Sequence, residues 1–400
     1  MKKACLCFSL LIIFIITISG CADLNDYLVI EPLQLPVVTG QYGVGTSQML
    51  FIDHVRRETF LKDAPEKFRR VMVRFWYPTA KTIINKTINY MDEQTAAYFT
   101  RKFGINYTDG LKMLETVKTN TVENAELAGG RFPVLVFSPG LESAYCAYQS
   151  LLEEAASHGY IVAAVNHPFI SGITVFPDGR AQEMDPSMDK LESMKTNFPI
   201  VVDDLKFIIA QLKEINGDSS GQLYNKLDLS KIGAFGHSFG GAASVRLSME
   251  EPKCKAAINL EGWLEGQGYE QRLKIPLLFM AGNRYTDSKD PNWNVAWRNL
   301  ESGFRVRIKG ATHINFCDLG IIMHHFFPQV PTKYFGVHLG DVSYWRLGNI
   351  KPNLAIRITN DYIVAFFNHT LKGEPVEALK NVFLKYNAVK FEMKTRNLYL

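Results

Sequence analysis

Little in this sequence marks it for nucleic acid, for a metal or for a disulfide scaffold. Its 44 basic and 40 acidic residues leave a formal charge of only +4 over 400 residues. There is no long Lys/Arg block and no interleaving of basic with aromatic residues, so the electrostatic footprint of a nucleic-acid-binding surface is missing. Cysteine is scarce, with six in all. Cys5, Cys7 and Cys21 fall in the extreme N-terminal segment; the other three, Cys146, Cys254 and Cys317, are an odd number and too scattered to supply closely spaced metal ligands. One optional disulfide or three buried thiols is expected, with no structural metal and no cofactor. Internal repeats and low-complexity tracts are absent as well.

What is present begins with an export signal. Lys2 and Lys3 give a positive start, Leu6 to Ile18 an apolar stretch, and Ile18-Ser19-Gly20-Cys21 a processing site. The apolar run is too short to span a bilayer comfortably. Its ending in small residues before Cys resembles a bacterial lipobox. Residues 1–20 are therefore read as a lipoprotein-type signal peptide and Cys21 as the lipid-modified N-terminus, which would hold the mature protein on a membrane facing the periplasm or cell exterior. An ordinary cleaved signal with an incidental Cys21 is the plainer alternative, and it too places the protein outside the cytoplasm. Residues 21–41 read as a loose, Pro-containing leader and 42–400 as a single domain.

Within that domain Met49–Ile52 and Arg70–Pro78 read as two antiparallel arms opening a sheet, and residues 91–128 as a polar, partly helical excursion with helices near 92–103 and 110–118. From Phe132 the pattern changes. Short apolar runs at 134–137, 161–165, 232–235, 256–260, 277–280 and 304–308 alternate with helical stretches such as 150–158 and 200–215, the signature of a mostly parallel central sheet with helices on both faces. A closing amphipathic helix is expected over 353–371, and the last 25 or so residues give no clear pattern. In such sheets functional groups gather at the carboxyl ends of the strands.

The most informative line is Gly236-His237-Ser238-Phe239-Gly240. A Gly-x-Ser-x-Gly pentapeptide is the form taken by a sharp strand-to-helix turn around a nucleophilic serine, with small residues where strand and helix nearly collide. The flanks agree: 231–235 reads as a buried strand and 241–247 as a helix. A serine hydroxyl needs a base to take its proton and an acid to hold that base in the right tautomer. His313, directly after the last sheet strand, is the candidate base. For the acid, Glu261 follows the strand 256–260 and Asp287 follows the next one, and residue chemistry alone does not separate them. Two backbone amides should stabilise the oxyanion: Phe239, after the nucleophile, and Leu141, in the turn Ser138-Pro139-Gly140-Leu141-Glu142. His237 and His167 are read as shaping or supporting the site. Tyr145, Trp263 and Phe316, together with Phe239, are candidate pocket walls.

The segments Arg131 to Leu141, Ala156 to Val162, Asn166-His167-Pro168, Gly236 to Gly241 and Thr312-His313-Ile314-Asn315-Phe316 together resemble the plasma-type platelet-activating factor acetylhydrolase family and its bacterial relatives, from about Tyr42 to the closing helix. The resemblance implies an α/β-hydrolase fold and calcium-independent hydrolysis of short or oxidised acyl esters of phospholipids through a Ser, Asp, His triad. Carried over by motif, Ser238 is the nucleophile, His313 the base, and Leu141 and Phe239 the oxyanion donors. The family's acid follows the strand after the nucleophile; here that position is Glu261, a Glu where Asp is expected, and the resemblance favours it over Asp287. The implied partner is an ester or phospholipid substrate, with no nucleic acid. A general carboxylesterase or polyester hydrolase is the alternative, and a catalytically silent binding protein of the same fold is a second.

Overall fold

The computed structural model describes residues 24–61, 67–80, 87–264, 266–283, 291–329 and 347–394, together with the backbone of 338–339 and 342–343. Ten strands form the central sheet: β1 Gly43–Arg57, β2 Phe68–Thr79, β3 Thr121–Glu123, β4 Phe132–Ser138, β5 Ile161–Asn166, β6 Leu227–His237, β7 Cys254–Leu260, β8 Leu277–Ala281, β9 Gly303–Ile308 and β10 Val389–Lys394. Their spatial order is β10-β9-β8-β7-β6-β4-β5-β2-β1-β3. The six strands from β9 to β5 are mutually parallel, β2 runs antiparallel to β5 and to β1, and β10 closes the far edge antiparallel to β9.

The apolar runs form the centre because both sheet faces are covered. Every residue of β4, β5 and β8 is buried, as parallel strands between two helical layers require. Side chains alternate between two cores. Leu135, Phe137, Phe235 and Leu278 face one core, shared with helices α3 Gln149–Ser157 and α6 Pro352–Lys372; Val134, Val136, Ala234 and Phe279 face the other, shared with α4 Leu191–Gly217 and α5 Phe239–Glu250. The arrangement is an α/β-hydrolase fold.

Several boundaries differ from the sequence expectation. The excursion holds α1 Glu93–Lys102, capped by Asp92, and α2 Tyr107–Glu115, capped by Asn106. The second helix stops before 118 because Val117–Lys118 pairs with Leu33–Gln34. That pairing also docks part of the segment read as a loose leader, with Leu33 and Leu35 buried. Helix α4 starts at Leu191 rather than 200 and runs through Pro199, with Phe198, Val201 and Val202 packed in the core on either side of it. The unpatterned C-terminal stretch supplies a short helix, α7 Glu377–Lys385, and then β10. Among the described residues no helix is long and apolar enough to cross a membrane.

Candidate active site

Ser238 stands where β6 runs out into α5. Its backbone lies at φ 54°, ψ −120°, a strained conformation worth about 1–3 kcal/mol for a non-glycine residue and held only where the surroundings over-determine it. They do so here. Ser238 N–H donates to Leu260 O at 2.8 Å and Ala242 N–H to Ser238 O at 3.0 Å. A Cβ on Gly236 would lie 2.4 Å from Gly240 O, and one on Gly240 would lie 2.1 Å from Ser138 O, so neither position has room for a side chain. Ser238 itself is half-buried.

Glu261 directly follows β7, is almost wholly buried and also has a left-handed backbone, φ 55°. Asn259, a polar residue inside an apolar strand, builds the turn: its Oδ1 accepts from Gly262 N–H at 2.6 Å and its Nδ2 donates to Gly262 O at 2.9 Å. Trp293 Nε1 donates to the same carbonyl at 2.8 Å. The Glu261 carboxylate meets His313 Nδ1 at 3.1 Å through Oε2 and accepts Gly282 N–H through Oε1. Because an ionised carboxylate only accepts, this contact puts the His313 proton on Nδ1 and leaves Nε2 as the acceptor a general base needs. Asp287 lies outside the described residues.

His313 opens a short 3₁₀ turn, His313–Phe316, after β9 and packs its ring on His237 with centroids 4.3 Å apart. Burial, reinforced by His313, holds the His237 pKa well below the usual imidazole value, so a neutral ring faces the one that must become positive. Tyr148 OH lies 2.9 Å from His237 Nδ1. Among the described residues Ser238 Oγ makes no hydrogen bond; catalytic contacts in ligand-free sites commonly close only when substrate binds.

The amides of the turn 138–143 are mostly committed to acceptors. Pro139 has no N–H, Gly140 N–H goes to Tyr148 OH at 3.1 Å, Glu142 N–H to Ile170 O at 3.3 Å and Ser143 N–H to Gly140 O at 3.1 Å. Leu141 N–H has no acceptor among the described residues, and neither has Phe239 N–H at the start of α5. The turn lies against Ser238: a Cβ on Gly140 would be 3.3 Å from Ser238 Cβ. Two unpaired donors beside a half-exposed serine are what a developing oxyanion requires.

The proposed walls separate. Phe316 is fully buried and stacks on His237 at 6.4 Å, so it supports the histidine pair. Trp263 is exposed, at 36% of its surface. Tyr145 lines a cavity of about 650 Å³ together with Arg74, Tyr90, Glu123 and Phe176, in which none of Ser238, Glu261 and His313 takes part. Phe239 packs edge-on against Phe198. Cys146, Cys254 and Cys317 are buried free thiols, and Cys21 lies outside the described residues. Sequence reasoning missed the parts played by Tyr148 and Asn259; the second had a legible signal, a polar residue inside an apolar strand.

Comparison with known proteins follows the same line. The family described as platelet-activating factor acetylhydrolase, isoform II, matches residues 28–198 and 212–381. The platelet-activating factor acetylhydrolase of Bos taurus is 26% identical over 372 residues, covering 84% of this chain and 77% of its own. A cutinase of Thermobifida alba, est1, is 22% identical over 213 residues, covering 52% of this chain and 58% of its own. A solved ferulic acid esterase from Streptomyces cinnamoneus superposes with a TM-score of 0.75 at 26% identity, covering 90% of this chain and 99% of that one.

Proposed function

The chain belongs to the platelet-activating factor acetylhydrolase, isoform II, family of ester hydrolases, and from that premise we propose that it cleaves short or oxidised acyl esters of phospholipids through an acyl-serine intermediate. The observation that carries the mechanism is the pairing of Glu261 with His313 Nδ1 at 3.1 Å beside the strained turn of Ser238. His313 Nε2 takes the hydroxyl proton as Ser238 Oγ attacks the ester carbonyl, and the amides of Leu141 and Phe239 hold the oxygen as it becomes negative. His313 then returns the proton to the leaving alcohol, and water, activated by the same nitrogen, releases the acid. Glu261 keeps the imidazole in its tautomer and balances its transient charge.

Reaction with a fluorophosphonate probe tests this. Wild-type protein should be labelled and Ser238→Ala should not; an unlabelled wild type, or equal labelling of both, would sink the serine mechanism and leave the silent binding protein. The cutinase and ferulic acid esterase likenesses favour a second reading, a broader carboxylic or polyester hydrolase. Comparing release of acetate with release of long-chain fatty acid from phosphatidylcholine analogues separates the two, since equal rates contradict a short-chain preference. The export reading extends to a lipid anchor at Cys21, and the mass of the mature N-terminus checks it.

A further inference from the structure

Behind the oxyanion turn runs a second chain of polar groups that the mechanism does not use. Ser138 Oγ lies 3.0 Å from His167 Nε2, and His167 Nδ1 lies 2.9 Å from Asp204 Oδ2. Asp204 accepts from Arg69 through both oxygens, at 3.1 and 2.7 Å, and its Oδ1 lies 3.0 Å from Arg56 Nη1. Arg69 also donates to Glu58 at 2.8 Å and to Pro168 O at 3.0 Å. Ser138, His167, Asp204, Arg69 and Glu58 are all buried. The order Ser, His, Asp imitates a catalytic triad, yet Ser138 is 0% exposed, so its hydroxyl is no nucleophile.

The protons in this chain have one arrangement. Burial acts to raise the Asp204 pKa, but the charge and hydrogen bonds of Arg69 and the hydrogen bond from His167 more than offset it and hold the carboxyl well below its usual range. An ionised Asp204 can only accept, so His167 carries its proton on Nδ1; burial, with Arg69 and Arg56 nearby, keeps that ring neutral. Nε2 is then an acceptor, and Ser138 Oγ–H donates to it.

The geometry assigns His167, backed by Asp204 and Arg69, a positioning role: it holds both flanks of the oxyanion turn so that the Leu141 amide stays aimed at the developing oxyanion. On one flank it ties the Ser138 side chain, at the end of β4. On the other, its own turn does the work. His167 O accepts from Ile170 N–H at 2.9 Å and Ser171 N–H at 2.7 Å, and Ser171 Oγ accepts from His167 N–H at 2.9 Å. Ile170 O then takes Glu142 N–H, and Gly172 N–H donates to Ser143 O at 2.8 Å. Leu141 lies between the two anchored flanks. Misplacing a reacting or stabilising group by about 1 Å can cost roughly a hundredfold in rate, which is why an amide donor is worth holding so firmly.

This inference rests on the serine-hydrolase reading, and the experiment separates the two. Full-length wild type, Ser138→Ala and His167→Gln are compared on an acetyl ester and on its thionoester, whose sulfur is a poorer hydrogen-bond acceptor and so reports on the oxyanion site. Ser138→Ala is expected to lower kcat roughly tenfold with KM within about twofold, to slow fluorophosphonate labelling in step, and to shrink the preference for the oxygen ester. His167→Gln, which can still donate to Asp204 and accept from Ser138, should fall between the two, and it carries the test if Ser138→Ala does not fold. A folded Ser138→Ala with unchanged kcat and unchanged ester preference overturns the positioning role, whatever its Tm. An unlabelled wild type overturns the nucleophile itself, and this inference with it.

Discussion

Replacing Glu261 by Gln tests the triad at its most unusual member. The carboxylate has one oxygen committed to Gly282 N–H and the other 3.1 Å from His313 Nδ1. An amide can present an oxygen to only one of these donors. If its oxygen stays on Gly282 N–H, the NH₂ faces His313 and forces the ring proton onto Nε2, where it points at Ser238 and blocks proton transfer. If the amide flips, two donors collide at Gly282. Either way the base is in the wrong tautomer or out of place, which in serine hydrolases costs about 10⁴ in kcat, or about 5 kcal/mol of transition-state stabilisation. Glu261→Asp keeps the charge but draws the carboxylate back by one C–C bond, about 1.5 Å, and a loss of about a hundredfold is expected. Steady-state turnover of a soluble acetyl ester, with Tm as a folding control, gives both numbers. Near-wild-type kcat in a folded Glu261→Gln, or loss confined to Asp287→Asn, refutes the assignment.

Two further outcomes follow from packing and burial. Gly240→Ala would set a Cβ 2.1 Å from Ser138 O and 2.4 Å from Pro139 O; both are backbone atoms that cannot rotate away, so a loss of about 3 kcal/mol or more is expected, and an unchanged urea midpoint would contradict it. The Asp318 carboxyl accepts Ser150 N–H at the start of α3, and burial pushes its pKa from the ordinary 3.8 up to about 7. With the folded value above the unfolded one, its contribution to stability is complete below about pH 4 and is lost as pH rises through about 7. Asp318→Asn mimics the protonated form, so its stability relative to wild type should climb by up to about 1.4 kcal/mol per pH unit across that window. Parallel stability profiles for the two proteins would disprove the protonated carboxyl.

The central sheet was legible because strands such as β4, β5 and β8 are short apolar runs with both faces buried, which need no alternation to show them, while β9 alternates apolar residues with half-buried Arg305 and Arg307. The edges were not. In β10 Val389 is buried and Phe391 is half-buried against the core, while Lys390 and Glu392 are exposed; that alternation spans only six residues, and the strand's place comes from antiparallel pairing with β9. Pro199 hid the first two turns of α4, since a proline reads as a helix boundary until the packing of Phe198 and Val201 is known. At the site, Ser238 and His313 were legible as candidates because chain order and the glycines of the elbow mark their positions. The acid was not: Glu261 and Asp287 each follow a strand, and the contact that favours Glu261, its carboxylate 3.1 Å from His313 Nδ1, joins residues 52 positions apart. His167 was read as supporting the site, but its partners were not legible, because Arg69, Ser138, His167 and Asp204 come from four separate stretches of the chain.

The strain at Ser238 and at Glu261 is one device used twice. Each residue ends its strand's run with a positive φ, 54° and 55°. Each donates its N–H to the neighbouring strand on the same side, Ser238 to Leu260 O and Glu261 to Met280 O. The Glu261 turn therefore repeats the positive φ and the cross-strand bond of the Ser238 turn one strand over, about 4.8 Å along the sheet, and the two are in contact, since a Cβ on Gly262 would lie 2.3 Å from Ser238 O. Their spacing is set by sheet geometry and not by a loop free to adjust. With the backbone fixed in this way, reach toward His313 has to come from side-chain length, which gives a physical role to a glutamate where the resemblance implies aspartate. It also puts the cost of the strain, about 1–3 kcal/mol at each turn, at the two positions where a shift of the backbone would uncouple the acid from the base or the base from the serine.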